Sequence, residues 1–260
     1  MLPFIHIFGR PVPMYGLMMV TGMLLGSIFM VYYCKTRSLM WENALLIGVC
    51  GLGLGLLGAK LLFIVTYYSP SEFFALVKNL EFKTLLEGGL VFYGGLIFGI
   101  FGALLGAKIA HVKLSSYECA ILPVIPFTHA FGRIGCFCAG CCYGAPTKSA
   151  LGVIYKNAIT DVPEGIPLFP IQLLESAILF VISAIMMAFC KKLGKYMLSF
   201  YLVVYGIARL FLEQFRYDKI RGIYFGLSTS SWISIALITA GIILFFIRRR
   251  KSTALDNLSK

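Results

Sequence analysis

Trp41-Glu-Asn-Ala-Leu-Leu-Ile-Gly-Val-Cys50, continued by Gly51-Leu-Gly-Leu-Gly-Leu-Leu-Gly-Ala-Lys60 and Leu61-Leu-Phe-Ile-Val-Thr-Tyr67, carries only two charges, Glu42 and Lys60. A helix needs about 20 predominantly apolar residues to cross a bilayer, so this stretch predicts a transmembrane span with length to spare for tilt. Six further stretches read the same way, which gives spans at 14–33, 41–67, 88–106, 117–137, 171–190, 197–215 and 223–247. The fourth holds Pro123 and Pro126, which remove backbone donors and predict a kinked or discontinuous helix.

Composition agrees with this reading. Of the 260 residues 59% are hydrophobic and 13% charged, and the mean hydropathy is +0.88. A soluble domain carries about 25% charged residues, so a water-soluble globule would lack the polar groups to cover its surface. Disorder, a collagen-like fibre and a secreted disulfide scaffold are excluded on the same grounds. The fold class expected is all-α: one polytopic integral membrane domain over 1–260, with seven transmembrane helices. Residues 1–10 lack a basic region and a small-residue cleavage site, so no removable signal peptide is expected. The net charge of +12 has no soluble, aromatic-interleaved basic module to serve, which points to a membrane role and away from nucleic acid.

The basic residues orient the chain. With the N-terminus outside, the inner segments (34–40, 107–116, 191–196 and 247–260) hold 12 Lys and Arg in 37 residues, whereas the outer segments hold 8 in 73. Arg248-Arg-Arg-Lys251 is the strongest single contribution, and the orientation is N-out, C-in. Three cations remain within spans, Lys60, Arg133 and Arg209, with Glu118, Glu175 and Glu213 within or at the ends of spans. An intramembrane ion costs several kcal/mol unless paired or hydrated, which marks a functional site. The alternative is an ion pair that fixes helix register, such as Arg209 with Glu213 one turn away. Small residues four apart (Gly22/Gly26, Gly51/Gly55, Gly95/Gly99, Gly102/Gly106) predict close helix–helix approach and no chemistry.

The most unusual stretch is His129-Ala-Phe-Gly-Arg-Ile-Gly-Cys-Phe-Cys-Ala-Gly-Cys-Cys-Tyr-Gly144. It joins a cation, an imidazole, four thiols and glycines at the outer end of the fourth span. A guanidinium matches phosphate bidentately. Gly132 and Gly135 allow a ligand near the backbone beside Arg133, which reads as a phospholipid-headgroup site; snorkelling of Arg133 to the interface is the plainer reading. His129, at i, i+4 from Arg133, is either a general base or a hydrogen-bonded packing residue. Cys136, Cys138, Cys141 and Cys142 admit packing, disulfides or soft-metal binding. Metal ranks last, because the spacing is no standard zinc pattern and a helix would spread the thiols around its axis. Cys34, Cys50, Cys119 and Cys190 are scattered and read as structural. Two other segments come to the same side: Gly88-Gly-Leu-Val-Phe-Tyr-Gly-Gly95 and Arg209-Leu-Phe-Leu-Glu-Gln-Phe-Arg-Tyr-Asp218.

At these residues the sequence resembles the prolipoprotein diacylglyceryl transferase family. Pro13-Met-Tyr-Gly-Leu-Met18 is similar to its W-Y-G-L-M opening and places Tyr15 on the functional tyrosine. Leu57-Gly-Ala-Lys-Leu-Leu62 resembles G-x-R-L with Lys60 where Arg is usual, and Glu87 to Gly95 resembles G-G-(L/M)-x-x-H-G-G. Pro123-Val-Ile-Pro126 with Gly132-Arg-Ile-Gly-Cys-Phe137 resembles P-x-x-P and G-R-x-G-N-F. Phe169-Pro-Ile-Gln-Leu-Leu-Glu175 is similar to H-P-(S/T)-Q-L-Y-E, and Arg209 to Asp218 resembles the R-x-x-x-E-x-x-R-x-P-D ending.

The resemblance implies transfer of the diacylglyceryl group of phosphatidylglycerol to the lipobox cysteine thiol of a prolipoprotein, with glycerol 1-phosphate leaving. It implies a multi-pass protein of the bacterial plasma (inner) membrane whose partners are phosphatidylglycerol, the lipobox segment and membrane lipids, with no cofactor and no metal. The expected catalytic set is His129, Tyr93 and Arg209, and the substrate-binding set is Arg133, Tyr15, Gly132, Gly94 and Glu213. Several signature positions depart: the functional His is Tyr93, the Asn is Cys136, the Glu is Cys141, and the His before P-x-Q-L is Phe169. A phenol with a pKa near 10 is a poor base at neutral pH, so the base role passes to His129. Two alternatives stand beside this reading: a diverged phospholipid-headgroup transferase with another acceptor, and a non-enzymatic lipid-binding membrane protein.

Overall fold

The computed structural model describes residues 1–69, 71–73, 78–79, 91–160, 162–217 and 223–258. Its long elements are helical: α1 Met14–Thr36, α2 Trp41–Tyr67, α3 Phe92–Ile109, α4 Leu114–Ile121, α5 Val124–Ala139, α6 Ile171–Ala188, the short α7 Cys190–Leu193, α8 Met197–Glu213 and α9 Thr229–Leu258. Among the described residues, six helices are long and apolar enough to cross a membrane, with α4–α5 and α7–α8 each counted as one. Gly94–Ile109 is a shorter apolar helix. This is an all-α polytopic membrane protein. The helix expected at 88–106 runs later, as α3, and residues 88–90 lie outside the described ones.

One break agrees with the sequence expectation and one boundary corrects it. The span drawn over 117–137 is two helices, because Pro123 interrupts it at Ile121 and Val124. Pro126 then sits in the first turn of α5, where its missing N–H matters little. The Pro123 carbonyl at the break accepts a hydrogen bond from the buried Ser183 hydroxyl at 2.8 Å, as an apolar medium requires. The last span starts at Thr229 and not at 223: Ile223–Tyr224 (β3) pairs antiparallel with Leu227–Ser228 (β4). An equivalent hairpin, β1 Phe4–Ile7 with β2 Arg10–Pro13, precedes α1. Both two-residue turns are Phe-Gly with positive φ at each position: 50° and 75° at Phe8-Gly9, 51° and 78° at Phe225-Gly226. That is the twist a tight hairpin needs.

The described residues fall into two compact units. In Val31–Tyr117, α2 and α3 pack through small residues. A Cβ on Gly58 would lie 2.6 Å from the Gly94 carbonyl oxygen, one on Gly94 would strike the Gly58 carbonyl, and one on Gly106 would meet Ile47 Cα at 2.8 Å. The second unit, Met1–Met30 with Glu118–Lys260, holds the other helices. Here Gly22 and Gly26 seat α1 on Phe131 and Val124 of α5. On α6 the buried stripe is Ile171, Gln172, Glu175, Ser176, Leu179, Ile182, Ser183 and Met186, whose spacing is that of one helix face. Half of it is polar, because lipid lies outside and the polar groups must find partners inward. Ser176 donates to the Ala130 carbonyl of α5 at 3.0 Å. Cys119 and Cys190, scattered in sequence and read as structural, are joined as a disulfide. Nearby, Glu118 holds Arg248 bidentately at 2.8 Å for each oxygen, and Arg248 also donates to the Lys195 carbonyl.

Candidate active site

The site lies where the end of α5, the start of α6 and the end of α8 meet. Arg133 (α5) and Arg209 (α8) come from elements far apart in sequence, yet both guanidiniums rest on one carboxylate, Glu175 of α6. Arg133 Nη2 is 2.9 Å from Glu175 Oε1, and Arg209 Nη1 is 3.4 Å from Oε2. Arg209 Nη2 also pairs with Glu213 Oε2 at 3.2 Å, one turn along its own helix. Glu175 is nearly inaccessible, its side chain 2% exposed. Arg133 Nε is buried without an acceptor, and the guanidinium also reaches the Tyr205 hydroxyl. Arg216, just beyond α8, adds a third guanidinium close to Arg209. Three guanidiniums thus stand about two carboxylates, Glu175 and Glu213.

His129, Arg133 and Cys136 stand at i, i+4 and i+7, on one face of α5. The His129 ring meets Tyr205 edge to face, with centroids 5.5 Å apart, and Tyr205 stacks on Tyr201 at 5.8 Å. Tyr15, in the first turn of α1, lies against Gly135; a Cβ there would come within 3.0 Å of Tyr15 Cα. Gly132 likewise faces Met19 of α1, so both glycines bring α1 onto α5 beside Arg133. The structure thus gathers His129, Gly132, Arg133, Tyr15, Arg209 and Glu213 in one unit. Gly94 is in the other unit, against Gly58, and the side chain of Tyr93 lies outside the described residues.

The chain after α5 folds back on the site. Gly140 takes φ +76° as the helix C-cap; its N–H bonds to the Phe137 carbonyl at 3.2 Å and that of Cys141 to the Cys136 carbonyl at 3.1 Å. This is the paired-bond ending that favours glycine. Cys142 is also left-handed, at φ +60°. The reversal brings the Sγ atoms of Cys136, Cys141 and Cys142 within 4.8 Å of one another, whereas Cys138 stays apart. The segment is anchored by Gln172, which donates to the Cys141 carbonyl at 2.7 Å and accepts from the Tyr155 hydroxyl at 3.0 Å. Burial pushes the Tyr155 phenol up to about 12, so it remains a donor at neutral pH. Hydrogen bonds from the Cys136 and Cys141 thiols, with Arg216 alongside, hold Cys142 well below the ordinary thiol range; Cys141's hydrogen bonds with Cys136 and Cys142 push it up. Gly144 completes the anchor, bonding to the Phe169 carbonyl at 3.0 Å where a Cβ would approach that oxygen to 2.6 Å.

The family model described as prolipoprotein diacylglyceryl transferase matches residues 3–247. The chain belongs to this family. A protein of Clostridium tetani named phosphatidylglycerol–prolipoprotein diacylglyceryl transferase is 33% identical over 94% of this chain and 96% of its own length. The second such protein of Clostridium perfringens is 33% identical over 95% of this chain and 94% of its own, and that of Finegoldia magna 32% over 92% of each. Within this family frame, Glu175, Tyr205, Gln172 and Tyr155 are the members of the site that sequence reasoning did not assign. For Glu175 a signal existed: a carboxylate within one span, with intramembrane arginines in two other spans to satisfy.

Proposed function

We propose that this chain transfers the diacylglyceryl group of phosphatidylglycerol to the lipobox cysteine of prolipoproteins, as a multi-pass enzyme of the bacterial plasma membrane oriented N-out, C-in. The observation that carries this reading is the sharing of Glu175 by Arg133 and Arg209. Two guanidiniums held by one buried carboxylate, with an unsatisfied Arg133 Nε, form a receptor for a phosphodiester.

In the reaction the acceptor sulfur attacks the glycerol carbon that bears the phosphate, the C–O bond breaks, and glycerol 1-phosphate leaves. The phosphate gains negative charge in the transition state, which is where fixed cations accelerate the step. Arg133 and Arg209 supply that stabilisation, and Glu175 and Glu213 hold the guanidiniums in place beforehand. Tyr15, seated against α5, positions the lipid beside Arg133, and His129 takes the thiol proton.

The test incubates purified protein with phosphatidylglycerol and a lipobox peptide and weighs the peptide. A mass gain of one diacylglyceryl group is expected. Arg133→Ala and Arg209→Ala should each lose about 100- to 1,000-fold in rate while still inserting, the loss typical of one charge-stabilising donor. Wild-type turnover in either variant removes the phosphate site. His129→Ala should abolish transfer, and near-full activity would take His129 out of the base role. Headgroup release without peptide modification would point to another acceptor, and lipid binding without turnover to a non-enzymatic role.

A further inference from the structure

The three-thiol group at the end of α5 has no part in the phosphate chemistry above. Its geometry is specific. The helix stops at Ala139, Gly140 reverses the chain through a left-handed residue, and Cys142 adopts a second one despite its Cβ. A non-glycine residue in this conformation is uncommon and persists only where the surrounding structure holds it. The result places the Cys136, Cys141 and Cys142 Sγ atoms mutually within 4.8 Å, each partly accessible. Three thiolates in a tetrahedron around zinc, with Zn–S about 2.3 Å, stand about 3.8 Å apart, a rearrangement of side chains only. The expectation that a helix would scatter these sulfurs fails because the last two are not on the helix.

We propose that Cys136, Cys141 and Cys142 bind a zinc ion through three thiolates, leaving the fourth position open for the acceptor thiol. Three protein ligands with an open position are the hallmark of catalytic rather than structural zinc. The charge balance fits the surroundings: zinc with three thiolates carries −1, and Arg133 and Arg216 lie beside the cysteines as counter-charges. Cys138 stays apart from the group, which leaves three ligands and not four.

The role rests on the transferase reading. An acceptor thiol entering the fourth position gives up its S–H bond, its proton passing by way of water to the base. The metal holds the sulfur as thiolate at neutral pH. A sulfur lone pair then forms the S–C bond to the glycerol carbon. The C–O bond breaks with its electron pair going to the phosphate oxygen, and the neutral thioether, a weak ligand, leaves zinc. Nothing is oxidised or reduced.

The full-length protein, purified in detergent with a phosphine reductant and dialysed against zinc, should retain one zinc per chain by elemental mass spectrometry. Cobalt in its place should give thiolate-to-cobalt charge-transfer bands in the near ultraviolet. Cys136→Ser, Cys141→Ser and Cys142→Ser should each weaken zinc binding at least about tenfold, since losing even an outer-shell partner of a ligand costs that much, while Cys138→Ser keeps both zinc and elution profile. Equal zinc content in wild type and the three variants, or cobalt without charge-transfer bands, overturns the site. Chelation should abolish peptide modification and zinc restore it, whereas undiminished transfer by metal-free protein overturns the thiolate role. If zinc-loaded protein transfers nothing, the transferase reading falls and the thiolate role with it, while the zinc count and cobalt spectrum still decide the metal site.

Discussion

At the residue scale, the decisive group is Glu175. Removing its charge leaves two guanidiniums facing each other in a nearly inaccessible place. Breaking a buried ion pair by deleting one partner costs about 3–5 kcal/mol, mainly because the remaining charge is uncompensated. Glu175→Gln, which keeps the shape, is therefore expected to lower the melting temperature in detergent by many degrees and to reduce transfer. Glycerol phosphate should raise the variant's melting temperature more than the wild type's, because an external anion then supplies the missing charge. Equal shifts in the two proteins would argue that phosphate binds elsewhere. Glu175 stood in the sequence as one of three acidic residues within or at the ends of spans; that it serves both arginines depends on the meeting of α5, α6 and α8, which no local pattern encodes.

At the scale of elements, what was legible followed from local chemistry. Apolar runs marked the long helices, the two prolines marked the break between α4 and α5, and the small-residue spacings marked the contact faces of α2 with α3 and of α1 with α5. The hairpins were not legible, since their strands have two or four residues and their Phe-Gly turns lack the Asn-Gly signal of such loops. The closeness of the three thiols was missed for a related reason: periodicity was carried past Ala139, where Gly140 had already ended the helix. Gly58 and Gly94 offer a direct test of packing. Gly58→Ala and Gly94→Ala should each destabilise by about 1–3 kcal/mol, the cost of overpacking a close contact. If Gly94 serves only this contact, both variants will keep the KM for phosphatidylglycerol; a raised KM in Gly94→Ala alone assigns it to the substrate as well.

At the scale of the whole molecule, the two ends of the helices in the larger unit differ. One end gathers Tyr15, Cys136, Gln172, Arg209 and both hairpins; the other holds the Glu118–Arg248 pair with the Lys195 carbonyl. With the N-terminus outside, the first group faces the outer leaflet. A fluorescent protein fused after residue 260 should then fold and fluoresce, and a periplasmic phosphatase fused there should stay inactive; the opposite pair of results reverses the orientation. On the proposed reading, turnover also takes on a shape from the three-helix junction. The lipid arrives with a single negative charge at cations that already have an occupant, a competitor tethered to α6 that never diffuses away. Affinity for the resting substrate is thereby held down, while the second charge, which appears only as the ester bond parts, draws the full pull of both arginines. Once the doubly charged product drifts out, the tethered rival reclaims its place and the vacancy closes without waiting for another ion.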